Sequence, residues 1–288
     1  MFDNIFAAIE KWMRELLTGM VESNMSTMFT DVNEKTSEIA AQVGRTPQNW
    51  NSSVFSMIQN LSESVVVPIA GIIITLVLCY ELISMLTERN NLHDVDTWMF
   101  FKYFVKAWVA IYLVSNTFTI TMAVFDVGQS VVNSASGIIN GEPAIDVSSL
   151  SMQMQAAMAT MEIGELVVLA LETFLVSFCM KIMSVVITVI VYGRMIEIYL
   201  YTSLAPIPFA TMSNREWGHV GTNYFRGLFA LAFQAFLMMV CVAIYAALIS
   251  SVRISSNMHS ALIGVAAYTV ILCFSLMKTG SLSKQIFG

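Results

Sequence analysis

The chain has 288 residues, of which 57% are hydrophobic and only 12% are charged. This balance excludes an ordinary water-soluble domain and indicates a protein that folds in lipid. Because 20 acidic residues outnumber 14 basic ones, the composition also excludes a free-standing nucleic-acid-binding module, which neutralises phosphates with clustered lysine and arginine.

The first element predicted by the sequence is an amphipathic helix over residues 2–20. Apolar side chains recur there every three or four residues, with charged side chains on the opposite face. We expect this helix to lie in the membrane interface, with packing on a partner as the alternative. Residues 21–63 are polar, with a helix break at 44–47. Residues 1–63 are therefore predicted to form an external N-terminal region.

Residues 64–288 are predicted to form the transmembrane domain of an all-α polytopic helix bundle. Five apolar runs are long enough to cross a hydrocarbon core about 30 Å thick. Their predicted bounds are 65–87, 104–125, 166–193, 227–252 and 256–277. Residues 195–212 are also apolar, but Pro206 and Pro208 remove backbone donors there. This segment is predicted to be broken or re-entrant, with a full sixth span as the alternative.

The positions of lysine and arginine favour five spans, an external amino terminus and a cytoplasmic carboxyl terminus in the cell membrane. In this arrangement Arg253 is the exception, and the segment 126–165, which has acidic but no basic residues, is external. The basic residues that share the predicted cytoplasmic side are Arg89, Lys102, Lys106, Arg194, Arg215, Arg226, Lys278 and Lys284.

Two charged residues, Glu172 and Lys181, lie within the third predicted span. At about 100° per residue their spacing points them to opposite sides of the helix, so they cannot pair with each other. Because a charge at bilayer depth costs about 3 kcal/mol, each is expected to face a water-filled cavity or a neighbouring helix. The alternative is that both lie near the ends of the span and extend to the interface.

The broken segment carries a second group of candidate residues. Arg194 and Glu197 are three residues apart, and this spacing allows an ion pair that braces a gate or clamps a turn. Pro206 and Pro208 indicate a hinge, a pore wall or a plain connecting loop. Non-helical backbone is tolerated at membrane depth only where protein or water covers it.

Sequence patterns typical of catalysis or metal binding are absent. His93, His219 and His259 have no ligand spacing, and there is no glycine-rich phosphate loop. The four cysteines lie in apolar runs and are interpreted as buried apolar residues. The sequence therefore predicts no enzyme, no cofactor and no metal site.

Two segments of the sequence resemble a known family. The first is YGRMIEIYL at 192–200 with SLAPIPFA at 203–210, and the second is EWG at 216–218 with GTNYFR at 221–226. They resemble the TrbL-like polytopic inner-membrane subunits of conjugative type IV secretion systems, particularly those of Gram-positive mobile elements. The specific part of the resemblance covers residues 190–240.

The resemblance implies a channel or scaffold subunit that helps to move relaxase-bound single-stranded DNA across the cytoplasmic membrane. It implies a ring-like homo-oligomer in membrane lipid, working beside an ATPase and a coupling protein, with the DNA–protein substrate in transit rather than stably bound. The residues that match the family motif, none of them catalytic, are Arg194, Glu197, Pro206, Pro208, Trp217, Gly221 and Arg226.

Two other classes of protein stay open at this point. A secondary transporter or small-solute channel is expected to show related halves with broken helices in matching positions, whereas this sequence has one broken segment and no internal repeat. A purely structural membrane anchor would make the intramembrane charges incidental.

Overall fold

A computed structural model of the chain describes residues 2–87, 97–139, 147–252 and 258–288. Arg89, His93 and Arg253, which entered the sequence predictions, lie outside these ranges. The regular structure of the described residues is helical. The α-helices are α1 (Phe2–Val43), α2 (Pro47–Trp50), α3 (Ser52–Leu61), α4 (Val67–Thr87), α5 (Thr97–Ser115), α6 (Thr117–Ile139), α7 (Val147–Met158), α8 (Ile163–Ser203), α9 (Pro206–Thr211), α10 (Gly218–Ser250) and α11 (Met258–Phe287).

Five described helical stretches are long and apolar enough to cross a membrane. The prediction of an all-α polytopic helix bundle is thus confirmed. In the first of these stretches, a π-helical turn at Ser62–Val66 joins α3 to α4 without a break. The five stretches are Ser52–Thr87, Thr97–Ser115, Ile163–Ser203, Gly218–Ser250 and Met258–Phe287.

The third span is longer than the sequence predicted. Residues 195–203 were assigned to the broken segment, yet α8 continues through them to Ser203. The physical reason is that a proline disturbs only the turn that precedes it, so Pro206 allows the helix to run to within a few residues. The break is confined to residues 204–205, after which Pro206 occupies the first position of α9.

The second span also differs, because the predicted helix over 104–125 is interrupted at Asn116. The Asn116 side-chain amide donates to the carbonyl of Tyr112 at 2.9 Å, and the Thr117 hydroxyl donates to that of Leu113 at 2.8 Å. Such side-chain bonds to the preceding turn compete with the helix ladder and bend it. Beyond this point α6 continues to Ile139, so the predicted external loop over 126–165 is largely helical, with α7 also within it.

At the N-terminus, α1 is one continuous helix rather than a short amphipathic helix followed by a separate polar region. The predicted break at 44–47 coincides with the end of α1 and the start of α2. There the Thr46 hydroxyl accepts the N–H of Asn49 at 3.3 Å, and Pro47 stands at the first helical position. The external placement of residues 1–63 stays a prediction.

The chain forms two compact units, each assembled from three separate stretches of sequence. Unit 1 consists of Met1–Val43, Ser134–Val191 and Met238–Lys278. Unit 2 consists of Gly44–Asn133, Tyr192–Leu237 and Thr279–Gly288.

In unit 1, α1 lies beside α8 and runs in the same direction. Hydrogen bonds at three heights fix this register, because the residue numbers rise together along both helices. They run from Arg14 Nη1 to Met161 O (2.8 Å), from Asn24 Nδ2 to Thr173 Oγ1 (3.5 Å) and from Lys35 Nζ to Thr188 Oγ1 (3.1 Å). The α1 segment from residue 21 onward therefore runs alongside the apolar α8.

In unit 2, the short helix α9 packs against both α4 and α5. Its Phe209 and Ala210 are buried against Ala70 and Ile74 of α4 and Ala110 of α5. The core of this unit thus fixes the polypeptide that follows the break after α8.

Candidate functional site

The first candidate site is in unit 2, where α8 ends, α9 intervenes and α10 begins. We call residues 199–226 the elbow. The hydroxyls of Thr202 and Ser203 turn back to the carbonyls of Tyr199 and Leu200, at 3.1 and 2.8 Å. Such side-chain bonds to the preceding turn compete with the helix ladder at the end of α8.

A pair of tyrosines ties the two long helices of the elbow together. The rings of Tyr201 and Tyr224 stack with centroids 4.5 Å apart and planes 8° from parallel. The Tyr201 hydroxyl donates to the Tyr224 carbonyl at 3.1 Å, and the Tyr224 hydroxyl donates to the Tyr201 carbonyl at 2.9 Å. This reciprocal contact was not predicted, because it depends on two helices meeting across the turn.

Gly221 allows α10 to approach α9 and Met212, the residue that follows it. A Cβ atom at this position would lie 2.0 Å from Met212 Cγ and 2.5 Å from the Pro208 carbonyl oxygen. Any side chain there would displace backbone, so the packing explains a glycine at this motif position. It also shows Pro208 in contact with the start of α10.

Trp217 is held at the entrance to α10. Its backbone N–H donates to Asn214 Oδ1 at 3.0 Å, and its ring stacks on Tyr80 of α4 with centroids 6.0 Å apart. Arg226, the last motif residue, is exposed and makes no ion pair within the described part of the chain. Packing therefore accounts for Trp217, and the described contacts do not explain Arg226.

The ion pair that the spacing of Arg194 and Glu197 allowed is not formed. Arg194 is only 7% exposed and its Nη2 atom lies 3.5 Å from the Leu231 carbonyl oxygen of α10, while Nε has no partner among the described residues. Glu197 instead accepts from Lys284 Nζ of α11 at 3.0 Å. The two side chains separate because Arg194 points into the core of unit 2, whereas Glu197 is half-exposed.

The second candidate site is in unit 1, on the faces of α1 and α8 that meet. Along α8, five polar side chains recur at intervals of three or four residues, which places them on one helix face. Facing them on α1 is a second row with the same kind of spacing. We call these two rows the polar seam: Thr173, Ser177, Lys181, Ser184 and Thr188 on α8, with Asn24, Asp31 and Lys35 on α1.

Lys181 is the exposed cation of the polar seam. It makes no ion pair with any residue that the structure describes. Glu172, on another side of α8, is paired with His259 of α11. Glu172 and Lys181 thus do not pair with each other: Glu172 contacts α11, whereas Lys181 faces outward from the single chain.

A small cavity of about 20 Å³ lies beside the seam, within unit 1. Its polar lining includes Asp31, Ser184 and the hydrogen-bonded pair Tyr245–Thr269, whose hydroxyl oxygens are 2.8 Å apart. A space of this size and polarity can hold a single water molecule. Sequence reasoning missed Asp31 and Lys35 because it assigned residues 21–63 to a polar external region, although their spacing with Asn24 marks one helix face.

Among the described residues, no cluster of three or more histidine, cysteine or acidic side chains could hold a metal ion. The cysteines, predicted to be buried, differ from that expectation. Cys273 is buried, but Cys79 and Cys179 are exposed and Cys241 is intermediate. The reason is that a membrane-spanning helix turns apolar residues toward lipid as well as toward its neighbours.

The fold and these sites define a multi-pass helical membrane protein. A family model described as "TrbL/VirB6 plasmid conjugal transfer like protein" matches residues 32–206, more than half of the chain. The chain belongs to this family of conjugal-transfer, type IV secretion components. No curated protein and no solved structure matches it.

The family match covers one candidate site more fully than the other. It includes the α8 side of the polar seam and extends along the chain to Pro206. Pro208, Trp217, Gly221 and Arg226 lie beyond the matched residues. For that second half of the elbow, the resemblance rests on the sequence motif, and the packing around Gly221 and Trp217 gives its physical basis.

Proposed function

We propose that the chain is a channel or scaffold subunit of a conjugative type IV secretion system, and that it helps relaxase-bound single-stranded DNA to cross the cytoplasmic membrane. The observation that carries this proposal is the polar seam. One of its two rows lies on α8, which is apolar enough to span a membrane. This α8 row also lies within the residues matched by the conjugal-transfer family.

The length of the seam is suited to a transmembrane path. Thr188 lies 15 positions after Thr173, which at about 1.5 Å per residue is about 22 Å of helix. Polar side chains at such depth are stable where water or another protein chain covers them. Thr173 is buried against α1, whereas Lys181 is exposed, so water can reach the seam at Lys181.

Lys181 supplies a positive charge near the middle of this surface. A DNA strand is polyanionic, so an exposed ammonium group favours its phosphates while the surrounding hydroxyls accept and donate hydrogen bonds without binding it tightly. This combination suits a substrate that passes through rather than one that is held.

One chain supplies only one seam, so a closed path requires several copies. We infer a ring-like homo-oligomer, with the seams directed inward, that acts together with an ATPase and a coupling protein. The sequence itself has no nucleotide-binding loop, so the energy for transport comes from those partners. The proposed orientation has the amino terminus outside and the carboxyl terminus in the cytoplasm.

The elbow is proposed to brace or gate this path. Arg194 lies in the core of unit 2 with an unpaired Nε atom, and Glu197 connects α8 to the C-terminal part of α11 through Lys284. The break at residues 204–205 and the short helix α9, which contains Pro206 and Pro208, lie between these contacts and α10. A small shift of α9 would therefore be transmitted to α8 and α10 together.

The proposal is tested by DNA transfer from donor cells that lack the chromosomal or plasmid copy of this protein. Complementation with the natural chain should restore transfer, while Lys181→Gln should lower its frequency about tenfold or more because the central charge is lost. Lys181→Arg should retain it. Lys11→Gln, which removes an exposed cation outside the seam, is the matched control.

Protein levels in the membrane are measured for every variant. Transfer at the natural frequency by Lys181→Gln, at a normal protein level, would contradict a path along the seam. Normal transfer by donors that lack the protein altogether would contradict the proposed function.

A further inference from the structure

A cleft of about 460 Å³ lies within unit 2, where the end of α4 and the start of α5 meet the turn between α9 and α10. Its lining is mixed in charge. The charged side chains around it are Glu81, Lys102, Lys106, Arg215 and Glu216. With three cations and two carboxylates, the described lining has a net positive formal charge.

The carboxylates of the cleft already have partners. Glu81 is paired with Lys106, and the Tyr80 hydroxyl donates to Glu216 Oε1 at 3.0 Å. Lys102 and Arg215 are exposed and have no carboxylate partner among the described residues. Two cations that line one cleft, Lys102 from α5 and Arg215 from the turn between α9 and α10, are thus available to an anion.

The position of the cleft is that of a membrane–water boundary. The long apolar run of α4 reaches its first charge at Glu81, and tyrosine and tryptophan side chains, including Tyr80 and Trp217, gather around this level. Aromatic residues of this kind are typical of the headgroup region. Lys102 Nζ lies 5.7 Å from the centroid of the Trp98 ring, so this cation also lies beside an aromatic residue.

An apolar surface adjoins the cationic wall. On α5, Trp98, Phe101 and Val105 lie on the face next to Lys102, and their exposed fractions are 57%, 55% and 45%. A ligand with an anionic head and an apolar tail would contact both parts. A soluble anion would leave these side chains uncovered.

We propose that this cleft binds the phosphate of an anionic phospholipid. Lys102 and Arg215 contact the phosphate directly, Lys106 contributes from its pair with Glu81, and the acyl chains lie along Trp98, Phe101 and Val105. Basic pockets between membrane helices bind phospholipid headgroups by this combination of charge and apolar contact. The site is independent of the proposed role in DNA transfer.

The experiment is native mass spectrometry of the full-length protein purified in detergent, with phosphatidylglycerol or phosphatidylcholine added in turn. The natural chain should retain phosphatidylglycerol about tenfold better than phosphatidylcholine, and the double variant Lys102→Gln, Arg215→Gln should lose this preference. The control variant Arg45→Gln, Arg226→Gln removes the same amount of charge from exposed positions outside the cleft. This variant should keep the preference for phosphatidylglycerol. Lys102→Arg with Arg215→Lys should also keep it.

A final comparison, with inorganic phosphate, distinguishes a free anion from a phospholipid. Inorganic phosphate should neither displace phosphatidylglycerol nor raise the melting temperature of the lipid-free protein as the lipid does. Equal retention of both lipids by the natural chain, or an undiminished preference in the double glutamine variant, would overturn the proposal. Displacement by inorganic phosphate would assign the cleft to a free anion instead of a lipid.

Discussion

Gly221 shows how one residue of the elbow fixes its geometry. The Pro208 carbonyl oxygen and the Met212 side chain lie where a Cβ atom would be. The contact with Pro208 is to backbone, which cannot rotate away as a flexible side chain does. Close packing of α10 against α9 and Met212 therefore depends on the absence of a side chain at this position.

The substitution Gly221→Ala is expected to destabilise the protein by about 1–3 kcal/mol, because the added methyl group overpacks the elbow. The measurement is the apparent melting temperature of the purified protein in detergent. Gly71→Ala is the matched control, since a Cβ atom on Gly71 of α4 would meet nothing within 4 Å. In a helix interior that control should be neutral or stabilising. A melting temperature of Gly221→Ala equal to that of Gly71→Ala would contradict this account of the elbow.

Arg194 and Glu197 show where spacing along a helix stops being informative. Their separation along α8 permits a pair, yet each contacts a different helix, Arg194 the backbone of α10 and Glu197 the Lys284 side chain of α11. Which neighbour a side chain meets depends on tertiary packing, which a single helix does not encode. The opposite directions of Glu172 and Lys181 could be predicted, because that angle is a property of one helix alone.

At the scale of elements, α1 is the main departure from the sequence predictions. Its second half has too few apolar residues to be predicted beside a membrane span, and its polar side chains are typical of an aqueous region. The contacts of Asn24 and Lys35 with α8 change this interpretation. By contrast, the five long apolar stretches could be predicted, since the required length follows from the thickness of the bilayer.

The register of α1 on α8 can be tested by disulfide formation. In a chain whose four cysteines are replaced by alanine, Asn24→Cys with Thr173→Cys should form an intramolecular disulfide on mild oxidation, because the natural side chains are 3.5 Å apart. Asn24→Cys with Thr188→Cys should not, since Thr188 lies about 22 Å further along α8.

The readout is the electrophoretic mobility of the monomer without reductant. Crosslinking of the 24–188 pair but not of the 24–173 pair would show that α1 is displaced along α8. Crosslinking of neither pair would show that α1 does not pack on α8 in the membrane.

At the scale of the whole molecule, the orientation in the membrane is a separate prediction. In the same cysteine-free chain, Glu162→Cys, before the start of α8, should react with a membrane-impermeant maleimide in intact cells. Gln285→Cys, near the end of α11, should react only after lysis, because the distribution of basic residues places the carboxyl terminus in the cytoplasm. Both natural side chains are exposed. The reverse pattern of labelling would invert the proposed topology.

The proposed function depends most directly on whether the polar seam meets the transferred strand. A photo-crosslinking amino acid at position 181, on the seam, is compared with one at position 179, which is exposed on a different side of α8. During mating, irradiation of donor cells should capture transferred DNA at position 181 and not at position 179. Capture at neither position in donors that still transfer DNA would contradict a path along the seam.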